Sequence, residues 1–264
     1  MFRGLFKTSL SPIQKICLAG LFIALTVILQ KVIAINYIPV VPFLRISLGG
    51  PALIIFSSIF LGPIYGMFIG AASDVLGYFL FDPKSFSFFP QITAIYTLLG
   101  LVSGLTVYLF KHLKKDLIIY LITGFIFIGL LVFITVYLFV KDNLQLYGTV
   151  YHLELWQKII IPIILFVLLC GLFVSMILLN RKYKKENLII SPLSIFLSSF
   201  VLELTVMVMF GTLMKGLAFG FQTYPMILIC QIIVLFINVP LNCWLLILLL
   251  RITNRYFIRE EANL

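Results

Sequence analysis

The sequence has few charged residues and almost no histidine for a chain of its length. Of its 264 residues, 11% are charged, 62% are hydrophobic, and only two are histidine. The four cysteines stand singly inside apolar runs, which argues against a disulfide framework or a zinc site. The motifs HExxH, GxSxG, GxGxxG and the P-loop are absent. We therefore expect no enzyme, no cofactor and no bound metal.

Long apolar segments are what the chain has instead. Segments close to the ~20 residues that a bilayer requires recur along most of its length. The basic, then apolar, start is similar to a signal peptide, but its apolar run continues to Ile35, so we expect a retained first helix. We predict an all-α integral membrane protein with a single transmembrane domain over residues 1–264. The predicted helices are about 13–36, 48–61, 62–81, 90–110, 117–140, 157–180, 190–213 and 224–250. The second is short, which leaves open whether it spans alone.

The distribution of basic residues predicts the orientation. With eight crossings and a cytoplasmic N-terminus, all but six of the 19 basic residues fall on the inner side. This bias follows the positive-inside rule, so we expect a multi-pass plasma-membrane protein with both termini in the cytoplasm. The net charge of +10 then requires no nucleic-acid partner. The six exceptions are Lys31, Arg45, Lys84, Lys141, Lys158 and Lys215.

Asp74 is an acid within an apolar helix. Gly62, Gly66 and Gly70 precede it at intervals of four residues, and such a glycine row lets another backbone approach closely. Asp74 should therefore face protein, roughly 18 Å from the inner end at 1.5 Å per residue. We expect it to fasten the preceding outer loop through Arg45 or Ser47, or to line a pocket beneath that loop.

Other polar residues at membrane depth are few, and each has a structural explanation beside a functional one. Lys31 either contributes to a site or extends to the outer headgroups. Glu203 either binds a ligand or pairs structurally with Lys31 or Gln231. The rest of this set is Gln30 and Asn238.

The start of the fourth helix is aromatic and polar. Aromatic rings at this place are typical of the membrane interface, yet rings with amide and hydroxyl neighbours also suit a flat heterocycle. Both explanations stay open. The residues are Phe86, Phe88 and Phe89 before Pro90, followed by Gln91, Thr93 and Tyr96.

At these residues the sequence resembles a known family. The stretch LRISLGGPALIIFSSIFLGPIYGMFIGAASDVLGYFL, followed by FFPQIT and GLVSG, is similar to the substrate-binding S components of energy-coupling factor (ECF) vitamin transporters, folate-type group. The shared features are an Arg-Ile-Ser opening, a GPxxGxxxGxxxD helix and a Phe-Pro-x-x-Thr helix start. The resemblance covers about residues 16–111 well and about residues 191–251 loosely.

The resemblance implies a binding protein and not a pump. Family members are six-helix bundles that take a vitamin, such as folate, from outside. They then dock on a transmembrane coupling protein that carries two ATP-hydrolysing subunits. Docking uses small residues of the first helix, which here are Ala19, Gly20 and Ala24. The implied substrate-binding residues are Lys31, Arg45, Ser47, Asp74, Phe89, Gln91, Thr93, Tyr96, Glu203 and Gln231.

The chain also departs from the family pattern. Residues 111–186 are predicted to form an insertion of two helices beyond the six-helix core. An Asn-Thr-x-Trp pattern is replaced by LELTV, which includes Glu203, and Leu99 stands where an arginine is usual. Gln231 and Val234 stand where the family pattern has a basic pair, at the start of the last helix. Such a pocket is not restricted to folate and also suits a neutral or cationic vitamin.

Two other classes of function remain open. One is a stand-alone proton-coupled secondary transporter that uses Asp74 or Glu203. The other is a structural membrane protein in which the polar residues only hold helices together.

Overall fold

The chain folds into a bundle of apolar helices. The computed structural model describes residues 10–33, 49–81, 88–110, 116–141, 143–146, 149–183 and 190–262. Within these ranges seven helices are long and apolar enough to cross a membrane, and an eighth is shorter, which confirms the all-α prediction. The helices are α1 Pro12–Val32, α2 Gly50–Leu61, α3 Pro63–Phe81, α4 Pro90–Phe110, α5 Asp116–Val140, α6 Leu155–Tyr183, α7 Pro192–Phe219 and α8 Tyr224–Ala262.

A short hairpin was not predicted. Strand β1, Asn143–Leu146, pairs antiparallel with β2, Thr149–His152, in the polar connection between α5 and α6. Two strands of four residues leave the all-α class unchanged.

Serine caps fix the starts of α1 and α7. The Ser11 hydroxyl accepts the Gln14 backbone N–H at 3.3 Å, and the Gln14 side chain accepts the Ser11 N–H at 2.8 Å. This capping box satisfies two backbone donors that a helix start leaves free. At α7, Ser191 accepts the Ser194 N–H at 3.1 Å. Both helices then begin with proline, which fits a first helical position.

Helix α2 lies wholly inside the bundle. All twelve of its residues are buried, and it contacts α1, α3, α4 and α8. At 1.5 Å per residue it is about 18 Å long, which is less than the ~30 Å hydrocarbon core of a bilayer. Gly62, with φ of +109°, joins α2 to α3, because few other residues adopt that conformation.

Glycines set the distance between α3 and α4. A Cβ added to Gly70 would lie 2.2 Å from the Tyr96 carbonyl oxygen, and one added to Gly100 would lie 2.0 Å from the Gly66 carbonyl oxygen. Side chains larger than hydrogen would push the two backbones apart. The row that carries Asp74 therefore faces protein, as expected from its spacing.

Helices α5 and α6 pack against the rest of the bundle as well as exposing apolar side chains on its outside. Phe125 is 81% exposed, but Phe127, half a turn away, is fully buried. The Phe127 ring centroid lies 4.8 Å from that of Phe200 on α7 and 5.1 Å from that of Phe236 on α8. An aromatic face thus joins this helix pair to the rest of the bundle.

Candidate functional site

A hydrogen bond between α3 and α4 shows that the Asp74 side chain points toward α4. The Thr93 hydroxyl donates to the Asp74 carboxylate at 2.7 Å. Asp74 is buried and Thr93 is half-buried, in the first turn of α4. The suggested partners Arg45 and Ser47 lie outside the described residues. The carboxylate is held across the contact that Gly66, Gly70 and Gly100 make possible.

Lys215 is a member of the site that sequence reasoning missed. The helix predicted to end at residue 213 left Lys215 in an outer loop. In the structure α7 continues to Phe219, because the residue that ends the helix is Gly220, with φ of +92°. The ammonium group of Lys215 lies close enough to Glu203 and Asp74 for its charge to act on both. One lysine thus lies near acids from α3 and α7. A positive charge two residues past the predicted helix end was the available signal.

Glu203 is buried in the middle of α7, with 1% of its surface exposed. The Asn242 side-chain amide donates to its carboxylate at 2.7 Å, and the Asn238 side chain lies next to the same carboxylate. These asparagines replace the pairing with Lys31 or Gln231 that the sequence suggested. Both are on α8, four residues apart, and therefore on one face.

This face of α8 carries a polar series. Gln231, Asn238 and Asn242 follow at intervals of seven and four residues, which places them along one side of the helix. Gln231 is half-buried, whereas Asn238 and Asn242 are buried. Asn242 was not named from the sequence, although its spacing from Asn238 indicates the same face.

The hydrogen-bonding pattern of α7 changes at Glu203. Residues Glu203–Phe210 form a π-helical segment inside the helix. Such wider turns are uncommon and often occur at functional sites. The segment begins at the buried acid and ends at Phe210, which lines a groove.

That groove lies between α4 and α7 and has a volume of about 470 Å³. This size falls within the range of small-molecule sites. Thr93 contributes to it, so the groove and the Asp74 hydrogen bond share a residue. Its lining residues are Phe88, Pro90, Thr93, Ala94, Thr97, Leu98, Leu101 and Phe210.

The remaining predicted site residues have various surroundings. Phe89 packs edge-on against Phe219, with ring centroids 4.7 Å apart. The Gln91 side-chain oxygen is buried and has no hydrogen-bond partner among the described residues. The Tyr96 main chain contacts Gly70. A Cβ on Gly77 would lie 3.0 Å from Lys31 Cε, so the Lys31 stem covers the turn that follows Asp74.

Two of the three predicted docking residues are open to the outside of the bundle. Gly20 and Ala24 are exposed, and no atom lies within 4 Å of a Cβ built on Gly20. Ala19 is half-buried. The part of the chain that the structure describes contains no group of three His, Cys, Asp or Glu residues that would hold a metal ion.

Long apolar helices around buried acid, amide and lysine side chains define a multi-pass membrane protein with an internal polar site. A family model described as the ECF transporter, substrate-specific component matches residues 14–180, which is more than half of the chain. The chain belongs to this family, and it is a plasma-membrane, substrate-binding transport subunit of an ECF importer. Comparisons with curated proteins and with solved structures gave no significant match.

Proposed function

We propose that this protein captures a vitamin or a related small molecule outside the cell and delivers it to an ATP-driven energy-coupling module. The family supports the transport role, and the departures noted above keep folate as one candidate among several. The observation that carries the proposal is a pair of buried acids, Asp74 on α3 and Glu203 on α7, each of which accepts a hydrogen bond from a side chain of a neighbouring helix. Charged groups at membrane depth are costly and mark substrate pathways.

We further propose that the site opens on the outer side and that both termini are cytoplasmic. Lys31 and Gly77 are in contact, so the C-terminal ends of α1 and α3 lie on the same side of the bundle. The chain must therefore return through residues 34–62, which include α2. Counting that return, the eight helices give an even number of passes and support termini on one side.

Uptake measurements test the proposed function. Proteoliposomes that contain the protein, a coupling protein and two ATP-hydrolysing subunits should accumulate a radiolabelled vitamin only with ATP. Binding in detergent should need no partner. If the protein alone moved solute down a proton gradient, the stand-alone transporter that uses Asp74 or Glu203 would be the correct class. If no vitamin bound in detergent, the polar residues would have a structural role only.

The substrate-binding set stays a proposal, with Arg45 and Ser47 from the preceding loop included. The two-helix insertion over 111–186 also stays a proposal. Its first helix packs on the core through Phe127, and its second does so through Phe173, whose ring centroid lies 5.9 Å from that of Phe196.

A further inference from the structure

The α7–α8 contact leaves one buried acceptor without a donor. Asn242 donates a hydrogen bond to the Glu203 carboxylate at 2.7 Å, and the Asn238 side chain lies next to that carboxylate. Asn238 is 5% exposed, and its side-chain oxygen Oδ1 has no hydrogen-bond partner among the described residues. A buried polar atom without a partner carries a substantial free-energy cost. This oxygen sits on a side chain that is already directed at Glu203.

The charges around Glu203 also favour a hydrogen-bond donor as the group that binds there. The positive charge of Lys215 acts on both Glu203 and Asp74, so it is not dedicated to one acid. The two asparagines contribute no charge. The Glu203 carboxylate and the unpartnered Asn238 carbonyl oxygen are both acceptors, and the group that complements two acceptors is an N–H donor, above all a protonated one.

We propose that Glu203 and Asn238 bind a basic nitrogen of the transported molecule, such as a protonated amine or amidine. This inference rests on the proposed function and narrows it to a substrate class. The ammonium or amidinium group donates one hydrogen bond to Asn238 Oδ1 and another to the Glu203 carboxylate. Asn242 positions that carboxylate from the other side. The π-helical turn that begins at Glu203 places the acid at this contact.

A thermal-shift experiment with fractions of growth medium, separated by cation exchange, tests the inference. A desalted extract of growth medium is split on a cation-exchange resin at pH 5 into a retained fraction, which holds basic nitrogen compounds, and a flow-through fraction. The melting temperature of the full-length protein in detergent is measured with each fraction and with NaCl of equal conductivity. A compound that binds only the folded state raises that temperature.

Three variants accompany the wild type. Glu203→Gln removes the charge and keeps an oxygen for the Asn242 amide, so it should fold. Asn238→Leu removes the unpartnered oxygen at similar volume. Glu154→Gln is the matched control, because Glu154 is an exposed acid bonded to Trp156 outside the bundle.

The retained fraction should raise the melting temperature of wild type and Glu154→Gln by about 5 °C. The rise should fall by at least half in Glu203→Gln and in Asn238→Leu. A rise with the flow-through fraction alone, or a full rise in Glu203→Gln, would refute the basic nitrogen and leave the proposed function standing. A rise with NaCl alone would assign the position to a metal cation. No rise with either fraction would count against the proposed function as well.

Discussion

At the scale of single residues, the site is a set of polar groups placed on helices that otherwise contact apolar surroundings. Asp74 and Glu203 were evident in the sequence because an acid inside an apolar run is rare. The sequence did not show that Thr93 and Asn242 are their hydrogen-bond partners, since a hydroxyl or amide is common and the sequence does not say which helices meet. Lys215 was missed because α7 extends six residues beyond its predicted end.

Asp74 and Thr93 should contribute to affinity together. Asp74→Asn keeps the side-chain size and a hydrogen bond to Thr93 but leaves Lys215 with one acid fewer. We expect it to fold, and to lose vitamin affinity in proportion to its loss of transport. Asp74→Leu should lower the free energy of unfolding by about 1–3 kcal/mol, because it leaves the Thr93 hydroxyl without its acceptor. Titration calorimetry and denaturation in detergent measure the two effects.

The control for this prediction is Thr93→Val, which removes the hydroxyl and keeps the shape. It should weaken binding less than Asp74→Leu, because it leaves all charges in place. Full affinity with no uptake in Asp74→Asn would contradict a binding role and favour proton coupling.

Substitution of Gln91 tests whether the start of α4 belongs to the binding site. Gln91→Trp removes a buried side-chain oxygen that has no partner among the described residues and puts a large ring in its place at the start of α4. We expect vitamin binding to fall at least tenfold while the protein keeps its melting temperature, as measured by fluorescence titration and thermal shift. Thr93→Trp should have the same effect on vitamin binding and on the melting temperature. Unchanged affinity in both variants would move the site elsewhere.

At the scale of elements, the α3–α4 contact is the part of the fold that the sequence indicated most clearly. A row of glycines at intervals of four predicts a close helix contact, and Gly66 and Gly70 make one. The α4 prediction of 90–110 matches Pro90–Phe110 because a proline starts the helix and a basic stretch follows it. The packing of Phe127 on α7 and α8 was not predictable, since a run of leucine, isoleucine and phenylalanine does not identify its neighbour.

Two glycine-to-alanine changes should have opposite effects on stability. Gly70→Ala would bring a methyl group 2.2 Å from the Tyr96 carbonyl oxygen, so α3 and α4 must separate. We expect a loss of about 2 kcal/mol or more. Gly129→Ala on α5 meets nothing within 4 Å and should be neutral or gain up to about 1 kcal/mol from helix propensity. Denaturation of both variants in the same detergent makes the comparison. Equal stability of the two variants would mean that the close contact is not required.

At the scale of the whole molecule, the bundle has one exposed face with small residues on α1. Gly20→Leu and Ala24→Leu fill the open space beside α1 and should leave vitamin binding unchanged. They should reduce co-purification with the coupling protein by at least tenfold, because a bulky side chain prevents close helix approach. Gly129→Leu, on the exposed side of α5, is the matched control and should co-purify normally. Normal ATP-driven uptake in the double α1 variant would exclude this face.

The enclosure of α2 also bears on how the chain is made. A helix of twelve residues that contacts protein on all sides has no lipid-facing surface with which to leave the translocon by itself. Gly62 links it directly to α3, so the two segments must enter the bilayer as one hairpin. Membrane insertion of α2 therefore depends on the synthesis of α3. A nascent chain that ends at residue 61 should remain bound to the insertion machinery until the next helix emerges.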